Sequence, residues 1–117
     1  MDRETLNKRI NAGNFVETNG SIMRTLNVLA TKYSRLKDIR YAVSGVSKAE
    51  IETSINYLNE AGYLHLREID SRQATTLADT EFERLEAKIT AQGIRLLAGT
   101  LTDECVEVKP WADANTA

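Results

Sequence analysis

Residues 45–66 read GVSKAEIETSINYLNEAGYLHL, and the fold follows from this stretch. Glu50 stands three residues after Ser47, the spacing of a capping box: the Ser47 hydroxyl takes the Glu50 amide hydrogen while the Glu50 carboxylate reaches back to the Ser47 amide. Val46 and Ile51 occupy the N′ and N4 positions of a hydrophobic staple. Ile51, Ile55 and Leu58 fall on one helical face. Gly62 suits the left-handed conformation that stops a helix. From Tyr63 to Ile69, Leu64 and Leu66 alternate with His65 and Arg67, as in a half-buried strand. A capped helix over 47–61 running through a glycine into a strand is therefore expected.

Upstream, Asp2 can cap a short helix over 2–12, with Leu6 and Ile10 on one side. Gly13, Asn14, Asn19 and Gly20 predict turns. Ser21 can cap a helix over 22–33 that carries Ile22, Leu26, Leu29, Ala30 and Tyr33 at the helical repeat. Ser34 can cap a shorter helix from Arg35 to about Val43, with Leu36, Ile39 and Val43 inward and Lys37 and Arg40 outward. Ser44 and Gly45 make a tight turn. Two short helices joined by a glycine turn form a helix-turn-helix pattern, with a tri-helical core of Ile22, Leu26, Leu29, Leu36, Ile39, Ile51, Ile55 and Leu58.

Downstream, residues 70–81 are polar and threonine-rich. Residues 80–88, TEFERLEAK, satisfy a helix as well as a strand; alternation of Leu85, Ala87 and Ile89 with Glu86 and Lys88 favours a strand for the last part. Thr90 can cap a last helix with Ile94, Leu97, Ala98 and Leu101 on one face and Gly99 at its end. Beyond Asp103 the chain is acidic and holds Pro110 and Trp111, so a mobile tail is expected, with Trp111 a docking side chain or folded back on the domain. The expected organisation is an N-terminal extension over 1–20, one domain over 21–101 and an acidic tail over 102–117.

The 117 residues suit a single domain. No apolar run approaches the roughly 18 residues of a membrane span, and no signal peptide opens the chain. Cys105 is the sole cysteine, which excludes an intrachain disulfide and fits a cytoplasmic protein. With one histidine, His65, nitrogen and sulfur ligands are too few for a zinc site. No nucleophile–base motif and no glycine-rich phosphate loop is present, so neither an enzyme nor a cofactor is expected. The formal charge of −2 is unevenly spread. Residues 21–42 hold five cations against Asp38, residues 43–62 hold Lys48 against three glutamates, and residues 96–117 hold Lys109 against four acids.

The order helix, helix, helix, strand, long loop, strand, helix resembles the winged-helix superfamily. The residues that carry the resemblance are Val46-Ser47, the run Tyr57–Leu64 (YLNEAGYL) and the run Ile89–Leu97 (ITAQGIRLL). In winged-helix regulators the corresponding pieces read like "YLEEAGYL" and "LTEKGRELL". The likeness covers residues 21–101. More narrowly, the chain is similar to small winged-helix proteins of phage and prophage gene clusters, which end shortly after an "LTxxGxxxLxG" segment, here Ile89 to Gly99.

The resemblance implies a mainly α fold with a small β-hairpin: a three-helix core, a two-stranded wing over 63–89 and a C-terminal helix. It implies a transcriptional regulator whose third helix enters the major groove of duplex DNA while the wing reaches the adjacent backbone or minor groove. Lys48, Thr53 and Asn56 would face the bases, Arg35, Lys37 and Arg40 the phosphates, and Arg67 and Arg72 would serve the wing. It also implies a homodimer through terminal helices, for which Leu6, Ile10, Leu97 and Leu101 supply apolar faces. Glu52, Glu60 and the acidic tail favour a second reading, a protein-interaction module in a phage regulatory or assembly complex.

Overall fold

The computed structural model describes residues 2–109, the side chain of Ala12 excepted. Trp111 and the rest of 110–117 lie outside the described residues. Within these bounds the chain forms four helices and a small three-stranded antiparallel sheet.

The first helix, α1, runs unbroken from Arg3 to Val28. Asp2 caps it by accepting the Thr5 N–H at 2.7 Å. The turns expected at Gly13, Asn14, Asn19 and Gly20 do not form, and Ser21 is mid-helix rather than a cap. Two tertiary contacts account for the difference around Asn19 and Gly20. The Asn19 amide is fully buried and donates to the Cys105 carbonyl at 2.9 Å. A Cβ on Gly20 would collide with the Glu107 carbonyl oxygen, which also accepts from Arg24 at 3.0 Å. The segment expected as a tail from 102 thus packs on the domain as far as Val108, with Val106 buried in the core.

The helix ends at Val28, earlier than the expected 33, and Leu29 is exposed rather than part of the core. The chain here turns to supply β1 (Ser34–Arg35), which pairs antiparallel with β3 (Leu85–Ile89). Ser34 is therefore a strand residue and not a cap, and α2 spans Leu36–Ala42. The sheet has three strands in the order β1-β3-β2, where a two-stranded hairpin is expected from sequence.

The central helix, α3, spans Lys48–Glu60 and carries both halves of the capping box. Gly62 adopts φ +83° after it, and β2 (Leu64–Glu68) follows. β2 pairs with β3 from Leu64 opposite Ile89 to Glu68 opposite Leu85. The long loop is ordered: Gln73–Thr75 turn back along β2, with the Glu68 N–H donating to the Gln73 carbonyl and the Thr75 N–H to the Leu66 carbonyl. Residues 82–84 form one 3₁₀ turn that buries Phe82, so within TEFERLEAK only Phe82–Arg84 is helical and the last part is strand.

The last helix, α4 (Ala91–Ala98), is capped by Thr90 and ended by Gly99 at φ +84°. Its buried residues are Gly93 and Leu96, not the expected Ile94 face; Ile94 is exposed. Gly93 sits against the Tyr63 carbonyl oxygen, the Met23 methyl and the Ile89 side chain, and that packing turns the helix. One core joins Ile22, Leu26, Leu36, Ile39, Ile51, Ile55 and Leu58 to the inward faces of the sheet and α4.

Candidate nucleic-acid interface

Burial of Ile51, Ser54, Ile55 and Leu58 turns the opposite side of α3 outward. That side presents Ala49, Thr53, Asn56 and Glu60, all exposed, with Glu52 on its flank. Thr53 and Asn56 therefore stand where the sequence places them. The Thr53 hydroxyl donates to the Ala49 carbonyl at 3.0 Å, so its hydrogen is engaged while its lone pairs are left to accept. The first half of α1 crosses beside this face: Phe15 meets Tyr57 edge-on at 5.4 Å between centroids. A groove of about 370 Å³, lined by Asn11, Phe15, Ala49, Glu50 and Thr53, lies between the two helices.

Lys48 is placed differently from expectation. Its ammonium makes a 2.6 Å ion pair with Glu83 and stands 5.3 Å from the Phe82 ring centroid. It closes the 3₁₀ turn onto the start of α3 rather than pointing along the outward face. The Lys48 hydrogen bond, helped by the Arg40 charge, holds the Glu83 carboxyl below its usual range. Glu83 in turn borders a groove of about 660 Å³ with Lys37, Arg40, Tyr41, Ser44 and Phe82. Lys37 and Arg40 thus line a groove whose wall includes Glu83, the ion-pair partner of Lys48. Tyr41 is the most exposed of the large hydrophobic side chains among the described residues, at 89%. It lies off the Leu36–Ile39–Val43 stripe, so its exposure is legible in the sequence, although its place beside the cations is not.

Arg67 is likewise engaged. Its guanidinium stacks 3.4 Å from the Tyr33 ring centroid and its Nε donates to Glu86 at 2.6 Å. The stack fixes the loop before β1 to the outer face of β2, so Arg67 is a structural residue and not a free wing cation. Tyr33 and Arg67 are far apart in the chain, and no local pattern signals their contact. Arg35 lies opposite Glu86 in the β1–β3 register. Arg72 is exposed at the tip of the β2 turn, with a left-handed φ of +59°. Arg35, Lys37 and Arg40 are exposed and form no ion pair among the described residues.

Leu6 and Ile10 are half-exposed on α1, whereas Leu97 and Leu101 pack against the core. Among the described residues no group of three or more His, Cys, Asp or Glu side chains is placed to hold a metal ion. No described helix is long and apolar enough to cross a membrane. No protein-family model, no curated protein and no solved structure matches the chain.

Proposed function

We propose that this chain is a winged-helix protein of the phage type that binds duplex DNA in the cytoplasm and acts in transcriptional regulation, without enzymatic activity. Support for the fold reading comes from the capped α3 running through the left-handed Gly62 into a paired hairpin. The observation that carries the functional reading is the basic groove, lined by Lys37 and Arg40 with the exposed Tyr41 and with Glu83, whose charge the Lys48 ion pair offsets. Phosphate contacts supply most of the affinity for a duplex and require such a surface. In this reading Arg35, Lys37 and Arg40 contact phosphates, and the outward face of α3 presents Thr53 to a thymine methyl and Asn56 to adenine. Arg72 reaches the backbone from the hairpin tip.

The salt dependence of binding to random duplex DNA tests this reading. About four phosphate contacts, from Arg35, Lys37, Arg40 and Arg72, predict a slope of roughly −3.6 for log K against log salt concentration. Binding that salt does not weaken would contradict it.

The second reading, a protein-interaction module, is favoured by Glu52 and Glu60 bordering the α3 face, where phosphates would be repelled. A pull-down that captures a partner through Thr53 and Asn56, with no duplex binding, is its signature.

A further inference from the structure

Three of the four tyrosines are put to use inside the fold. The Tyr33 ring lies against the Arg67 guanidinium, its centroid 3.4 Å away. Tyr57 meets Phe15 edge-on and donates to Asp103, and Tyr63 donates to the same carboxylate. Tyr41 differs. Its ring makes no aromatic or cation–π contact among the described residues, and the side chain stands 89% exposed.

A lone exposed aromatic is ordinary on a protein surface. Tyr41 is set apart by its company. Lys37, Arg40 and Tyr41 stand at i, i+3 and i+4 on α2, are all exposed, and line one groove. Lys37 is one helical turn, about 6 Å, from Tyr41 along the axis. Arg35, also exposed, precedes them on the edge strand β1. The acid in the groove wall, Glu83, is held by Lys48 at 2.6 Å. Asp38 projects about 100° round the helix from Lys37, off this side. An open ring thus stands among cations with little opposing charge.

Phosphates alone do not call for that ring. An intact duplex offers phosphates and base edges, while the faces of its bases are stacked on one another. A base can cover an aromatic ring only where it has left the duplex stack. Sites for single strands combine cations that follow the backbone with rings on which bases stack. We propose that the groove beside α2 takes single-stranded DNA, with an unpaired base on the Tyr41 ring and its neighbouring phosphates on Lys37 and Arg40. The proposal rests on the DNA-binding reading of this groove and adds to it the form of the DNA, a stretch in which the strands are separated.

Fluorescence anisotropy at low salt tests it with three labelled probes: oligothymidine, the same strand annealed to its complement, and oligouridine of equal length. Each is titrated with the full-length wild type, Tyr41→Ala, Tyr41→Phe and Lys37→Glu/Arg40→Glu. Tyr41→Ala is expected to weaken oligothymidine binding about 5- to 150-fold, the loss of one stacked base, and to leave duplex binding and the melting temperature unchanged. Tyr41→Phe keeps the ring and should bind like the wild type. Lys37→Glu/Arg40→Glu should lose both forms of DNA. Oligothymidine binding indifferent to Tyr41→Ala, with the duplex still bound, overturns the stacking and leaves the duplex reading standing. Equal losses on strand and duplex overturn it too, as does a Tyr41→Phe variant as weak as Tyr41→Ala, since the hydroxyl would then be the contact. Tighter binding of oligouridine overturns the assignment to DNA. Binding of oligothymidine that depends on Tyr41, without duplex binding, upholds the proposal and removes the duplex. Binding of no probe overturns both and leaves the groove to a protein partner.

Discussion

The Tyr57 hydroxyl donates to the Asp103 carboxylate at 2.6 Å, joining the last part of α3 to the segment that follows α4, 46 residues on. The Tyr63 hydroxyl donates to the same oxygen at 2.7 Å, and the other oxygen accepts the Cys105 N–H at 2.8 Å. One carboxylate thereby holds the end of α3, the entry to β2 and the strap that crosses α1. Asp103→Ala removes the acceptor for two half-buried hydroxyls. A loss of about 1–3 kcal/mol in denaturant unfolding is expected, well above the effect of an ordinary exposed acid.

The same cluster gives the fold a pH signature. Burial pushes the Asp103 carboxyl up, but the two tyrosine hydroxyls and the Cys105 N–H prevail and hold it below 3.8. A depressed carboxyl stabilises the fold above its unfolded value and loses that contribution as pH falls through the folded one. Burial and the Asp103 carboxylate push the Tyr63 hydroxyl from 10.0 to about 12. Its contribution is full below 10.0 and lost as pH rises through about 12. Melting temperature against pH should fall on the acid side below about 4 and on the alkaline side above about 10. Asp103→Asn should flatten the acid limb, and Tyr63→Phe part of the alkaline one.

Glycines separate by what approaches them. Gly20→Ala drives a methyl into the Glu107 carbonyl oxygen, and Gly93→Ala drives one into the Tyr63 carbonyl oxygen. Each is expected to cost about 1–3 kcal/mol. Gly13→Ala meets none of the described residues and should gain about 0.5–1 kcal/mol. Chemical denaturation of dilute protein measures all three.

Single hydroxyls fix two helix starts. Ser47 accepts the Glu50 N–H at 3.2 Å, and Ser47→Ala should cost about 1 kcal/mol. Thr90 does more: it accepts the Gly93 N–H at 3.0 Å and donates to the Gly62 carbonyl at 2.6 Å, so it caps α4 and fastens the turn after α3. Thr90→Val should cost more than Ser47→Ala in the same denaturation assay, because it also leaves the Gly62 carbonyl without its donor.

What was legible in the sequence is what local chemistry controls. Ser47 and Glu50 mark the start of α3, Gly62 its end, and the alternation at 64–68 and 85–89 the two longer strands. What was not legible depends on residues far away in the chain. Asn19 and Gly20 read as turn formers, yet the strap at 105–107 accepts from the side chain of one and fills the space at the other inside a helix. Ser34 reads as a cap, yet Ala87 recruits it into a strand too short to show a period. The candidate site divides the same way. Exposure of Thr53, Asn56, Lys37 and Arg40 follows from helical facing, whereas the partners that occupy Lys48 and Arg67, Glu83 and Tyr33, are brought in by the fold.

The basic groove is tested most directly by fluorescence anisotropy with random duplex DNA at low and at physiological salt, comparing wild type, Arg35→Glu/Lys37→Glu/Arg40→Glu and Arg67→Ala. The account predicts binding by the wild type that weakens with salt and collapses in the triple variant. Arg67→Ala should bind like the wild type while melting at a lower temperature, because Arg67 stacks on Tyr33 instead of facing a phosphate. Absence of wild-type binding at low salt, or undiminished binding by the triple variant, would contradict it.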